Sequence, residues 1–124
     1  MDIHRLRDQI AIAQAHFTNV EIRYTAQGAI CAKLALQTSA GTIYILSMSF
    51  DGYPHQMPRV VVDLPTIVAS PHRYSDGNIC YMHPSMWNPG IHDVKFVVAR
   101  TAKWLNKYEI WKRTGRWPGA ELRH

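Results

Sequence analysis

S-P-H-R-Y-S-D-G-N-I-C-Y-M-H-P-S-M-W, residues 70–87, is the stretch on which the reading of the chain turns. It carries Cys80 three residues after an Asp76-Gly77 turn signal, with His72 and His83 on either side and Pro71 and Pro84 near the ends. Glycine accepts a positive φ at no steric cost, so Asp-Gly favours a tight turn. Proline fixes φ and has no N–H for a ladder, which argues against an internal strand. The expectation is a rigid, partly exposed loop that presents one thiol. Catalytic groups concentrate on loops of this kind, held by a rigid scaffold.

Regularity begins on the C-terminal side at Asp93, a favourable helix N-cap. Val94, Val97, Val98, Thr101, Trp104, Leu105, Tyr108 and Trp111 fall at helical spacing. The helix is expected to end near Thr114-Gly115, with Lys112 and Arg113 in its last turn, where positive charge suits the dipole. Trp104, Tyr108, Trp111 and Trp117 read as core and tail packing, and Trp87 as packing under the loop.

On the N-terminal side, residues 2–17 read as an amphipathic helix with Ile3, Leu6, Ile10, Ala13 and Phe17 on one stripe. Three runs then alternate with period two: Val20, Ile22, Tyr24; Ile30, Ala32, Leu34, Leu36; and Tyr44, Leu46, Met48, Phe50. Gln27-Gly28 and Thr38 to Gly41 link them, which predicts an antiparallel meander. Tyr53-Pro54 to Pro58 is an extended crossing, and Arg59 to Leu64 a fourth strand ended by Pro65. Residues 65–92 show little periodicity, and a structureless connection of that length in a compact domain is usually functional.

At 124 residues the chain reads as one domain, residues 1–124, with room for a core that needs no staples. Only Cys31 and Cys80 are present, so no disulfide framework is implied and a reducing cytoplasm is the expected compartment. Cys31 falls on a strand, on the face opposite Ile30 and Ala32, and reads as inert. Met1-Asp2-Ile3-His4 opens no basic region followed by an apolar run, so neither a signal peptide nor a membrane partner is expected. The net charge of +5 resides in residues 95–124, which carry eight Lys/Arg against Glu109 and Glu121. A solvated helix face accounts for this better than a nucleic-acid site does, so nucleic acid is not an expected partner.

Helix, four-strand meander, proline crossing, cysteine loop, helix is an order that resembles the ubiquitin-conjugating enzymes. Tyr53-Pro54 through Pro58 resembles that family's Tyr-Pro crossing. Gly77-Asn78-Ile79-Cys80 resembles its Gly-x-Ile-Cys, and Trp87-Asn88-Pro89 its Trp-Ser-Pro. Ser70-Pro71-His72 stands where the family has His-Pro-Asn, so His72 replaces the asparagine. The ending from Trp104 through Trp117, Glu121 and His124 is similar to compact stand-alone relatives in CBASS-type antiphage operons, beside cyclic-nucleotide synthases. The resemblance implies an α+β, UBC-like domain that is a minimal core, without the family's last helices.

It also implies a chemistry. Cys80 would carry a protein C-terminal acyl group as a thioester and pass it to an amine. The protein substrate would be the C-terminus of a cGAS-like nucleotidyltransferase, charged by an activating enzyme. A thioester is activated towards amines yet survives transfer, which is why cysteine belongs at this position. A free thiol has a pKa of about 8.5, so little thiolate exists at neutral pH. Arg73 lies on the same loop, but no Lys or Arg adjoins Cys80, so modest activation is expected.

Attack on the thioester builds an oxyanion, for which the ring N–H of His72 is the candidate donor. His72 is also a candidate base. His83, and then His92, are alternatives. Other readings stay open: a thiol hydrolase that pairs Cys80 with His72, and a UBC-like scaffold without activity. A zinc site from His72, Cys80, His83 and His92 fits no common spacing, so no metal or cofactor is expected.

Overall fold

In the computed structural model, residues 3–119 are described. Asp2, where the first helix was expected to begin, and Glu121 and His124 of the tail lie outside the described residues. The elements run α1 (Ile3–His16), β1 (Val20–Tyr24), β2 (Ile30–Gln37), β3 (Ile43–Ser49), β4 (Arg59–Leu64), a 3-10 turn (Pro84–Met86) and α2 (Val94–Thr114). The four strands form one antiparallel sheet in the order β1-β2-β3-β4. This is the α+β meander expected from the alternation, with a helix at each end of the chain. Among the described residues no helix is long and apolar enough to cross a membrane.

One face of the sheet is buried and the other is not, because side chains alternate along a strand. Ala32, Leu34 and Leu36 of β2 and Tyr44, Leu46 and Met48 of β3 point into the core. Their neighbours Lys33, Ala35, Ile45 and Ser47 stay half-buried on the outer face. Lys33 Nζ there meets Ser47 Oγ at 2.8 Å and Asp63 Oδ2 at 2.7 Å. Cys31 is also half-buried and free, opposite Ser49 in the ladder.

Leu6, Ile10 and Ala13 of α1 are buried, and Phe17 packs against the core. Ile3 departs from the expected stripe and is 51% exposed. It is the first residue of the helix. Tyr24 likewise ends the edge strand and is largely exposed.

The second helix follows its sequence closely. The Asp93 carboxylate accepts from the Phe96 amide at 2.9 Å, and Gly115 closes the helix at φ 78°. Only a left-handed residue lets the last turn end this way, which is why glycine stands there. Val94, Val97, Val98, Thr101, Trp104, Leu105 and Tyr108 form the buried stripe. The Trp104 and Tyr108 rings stack at 5.4 Å.

Leu46 is fully buried on the central strand β3, whereas Ile43 on the same strand is 57% exposed. Leu46→Ala is expected to cost about 2–5 kcal/mol in urea unfolding. Ile43→Ala should stay within about 0.5 kcal/mol. Equal effects at the two positions would contradict the one-sided core.

Candidate active site

The segment from 65 to 92 lacks periodicity but not order. At its centre the Asp76-Gly77 turn closes a miniature hairpin. The Tyr74 amide donates to the Asn78 carbonyl at 2.8 Å, Gly77 to Tyr74 at 3.0 Å and Cys80 to His72 at 2.7 Å, while Arg73 bridges Ile79. Gly77 has φ 89°, which the turn requires. The register therefore sets Tyr74 opposite Asn78 and His72 opposite Cys80.

Two anchors hold this hairpin to the fold. Its second arm lies along β4: the Ile79 amide donates to Val60 O at 2.9 Å, and Val60 donates to Asn78 Oδ1 at 3.1 Å. Its first arm is tied to α2, where Trp104 Nε1 donates to His72 O at 3.0 Å. His72 adopts φ 57°, a left-handed conformation that His tolerates better than most residues. Beyond Cys80, the Tyr81 hydroxyl donates to Pro58 O at 2.7 Å. Trp87 Nε1 donates to Pro54 O at 2.9 Å, so this tryptophan braces the proline crossing.

The thiol itself corrects an expectation. Cys80 is only 5% exposed, not partly presented to solvent. Ile79, Cys80, Tyr81 and Met82 are all buried, because β4 and Pro58 hold this arm against the core. Sγ donates to Met82 O at 3.2 Å. The Tyr74 hydroxyl hydrogen-bonds the sulfur from the other arm. Burial pushes the Cys80 thiol up, and the Tyr74 bond partly opposes that.

The candidate histidines take different places. The His72 carbonyl holds the Cys80 amide, while its ring packs on Trp117 at 4.9 Å. His83 caps the 3-10 turn: Nδ1 accepts from the Ser85 amide at 3.1 Å. That bond puts the proton of the neutral ring on Nε2. His92 Nδ1 accepts from the Asn88 amide at 3.0 Å, and its ring stacks on Phe96 at 4.3 Å. Among the described residues no three His, Cys, Asp or Glu side chains are grouped to hold a metal ion.

Tyr74 was not among the expected site residues, yet the sequence carries a signal for it. In an antiparallel pair a residue reaches the diagonal neighbour of its partner. An Asp-Gly turn that pairs 74 with 78 makes Cys80 that neighbour. A pocket of about 490 Å³ opens beside the hairpin, lined among others by Met57, Arg59, Tyr74, Asn78, Ile79 and Trp87. Arg59 also meets Asp76 of the turn at 2.7 Å.

Helix, antiparallel meander and pinned cysteine hairpin define a minimal UBC-like core. The chain belongs to the type II CBASS E2 protein family, whose model matches residues 9–124. It is thus an E2-like protein of CBASS antiphage systems. No curated protein matches it.

Two expectations follow from the site. Trp104→Phe removes the indole donor from His72 O and should speed hydrogen exchange at the Cys80 amide. Unchanged protection there would show that the hairpin does not depend on α2. Burial pushes Tyr53 and Tyr74 up to about 12. A raised pKa means that the unfolded chain ionises first, so their stabilisation is complete below pH 10 and lost towards 12. The urea midpoint should fall through that window, less steeply in Tyr53→Phe. An equal slope in wild type and variant would contradict this assignment.

Proposed function

We propose that the protein carries the C-terminal acyl group of another polypeptide as a thioester on Cys80 and passes it to an amine. An activating enzyme presents the acyl group as its own thioester. The Cys80 sulfur attacks the acyl carbon, the donor's carbon–sulfur bond breaks, and the Cys80 proton ends on the departing thiol. In the second step an amine nitrogen attacks, the bond to Cys80 breaks, and the amine's proton restores the thiol. Within a CBASS system the carried chain is the C-terminus of the cGAS-like nucleotidyltransferase. The reducing cytoplasm keeps the thiol available.

One observation carries this reading: Cys80 ends a hairpin fixed to both β4 and α2, beside a pocket of about 490 Å³. Family membership supports the E2-like role. In this proposal His72 holds the nucleophile in place through its carbonyl and offers a ring N–H to the oxyanion. His83 stands at the other end of the loop, where its Nδ1 caps the 3-10 turn. The covered sulfur lends weight to a second reading, a UBC-like scaffold without transferase activity.

The test is Cys80→Ser expressed with the neighbouring operon proteins. A serine oxyester resists aminolysis, so the variant should accumulate an adduct of the carried chain's mass, and Cys80→Ala should form none and lose antiphage protection. No adduct on wild type or Ser variant, with protection retained in the Ala variant, would establish the scaffold instead.

A further inference from the structure

We infer that Tyr74 is both the cover and the hydrogen-bond donor of Cys80, standing between the pocket and the sulfur. The inference deepens the thioester proposal and rests on it for the transfer step, but not for the resting thiol.

Three observations converge on this side chain. The hairpin register makes Tyr74 the diagonal neighbour of Cys80, a separation that a long aromatic side chain spans. Its hydroxyl donates to the sulfur. The same residue lines the pocket, together with Ile79, the chain neighbour of Cys80. Cys80 is 5% exposed, whereas Tyr74 is half-buried. Access from the pocket therefore requires a rotation of the tyrosine side chain. The backbone of the hairpin, fixed by the His72, Val60 and Asn78 bonds, can stay in place.

The donor role follows from the same contact. A hydroxyl that donates to sulfur favours thiolate over thiol, against the desolvation of the site. Once an acyl group is attached, its oxygen lies two bonds from the sulfur. The hydroxyl that reached one can reach the other. As the amine attacks, that oxygen gains negative charge, and a preorganised donor stabilises it. Tyr74 would then share the oxyanion with the His72 ring N–H, in a loop that lacks the asparagine of the ubiquitin-conjugating enzymes.

Alkylation of the resting protein by iodoacetamide tests both roles without any acyl donor. The Cys31→Ala background makes Cys80 the single reporting thiol. Tyr74→Phe keeps the cover and removes the donor. It should slow alkylation roughly tenfold at pH 8 and leave the high-pH plateau unchanged, since the plateau reports fully formed thiolate. Tyr74→Ala removes both, and its plateau should rise several-fold as the pocket opens onto the sulfur. A Phe variant with the wild-type pH profile would overturn the donor role, and an Ala variant with the wild-type plateau would overturn the cover. On loaded protein, discharge to a free amine should slow ~10²-fold in Tyr74→Phe. Discharge at the wild-type rate would overturn the oxyanion role. If wild type does not load at all, the thioester reading fails, while alkylation still decides the cover and the ground-state bond.

Discussion

The His72 carbonyl oxygen accepts two hydrogen bonds, from the Cys80 amide at 2.7 Å and from the Trp104 indole at 3.0 Å. Through that atom the hairpin and the long helix become one unit. A carbonyl oxygen has two lone pairs, and here both go to donors that the fold itself supplies. The left-handed backbone at His72 accompanies this arrangement. Trp104 in turn stacks on Tyr108, whose hydroxyl accepts from the Val68 amide at 3.0 Å. The same aromatic face of the helix therefore anchors the long connection at Val68 and at His72. A segment with almost no secondary structure thus becomes a fixed mount for one sulfur.

The mount has a chemical consequence. Burial that holds Cys80 in register also desolvates it, and desolvation favours the neutral thiol. A strongly activated nucleophile is the opposite of what this site provides. That suits a carrier better than a hydrolase. A carrier receives an acyl group that is already activated, and it gains from a covered thioester that water cannot reach. Positioning is what such a site contributes most.

The fold was legible because its signals were local. Alternation over eight residues of β2 assigns a face, Asp93 and Gly115 bracket the helix, and the stripe between them repeats at helical spacing. The site was legible in part. The Asp76-Gly77 turn and the cysteine after it were plain, but the hairpin register that sets His72 opposite Cys80 was not. Burial of the thiol was not, because it depends on Val60 and Pro58, distant in sequence, closing over the hairpin arm. The contact of Tyr74 with the sulfur follows from the register that the Asp76-Gly77 turn sets, and it emerges only once 74 is paired with 78. Ile3 and Tyr24 fit the periodic pattern but are the terminal residues of α1 and β1, and both are exposed.

Whether an acyl group travels on Cys80 can be read by peptide-level mass mapping. Wild-type protein is isolated from cells that express its operon, with and without neutral hydroxylamine. The peptide containing Cys80 should carry the terminal residues of a second protein, and hydroxylamine, which cleaves thioesters, should remove them. A Cys80 peptide found only as free thiol, in protein taken from cells with working antiphage defence, would contradict acyl transfer through Cys80.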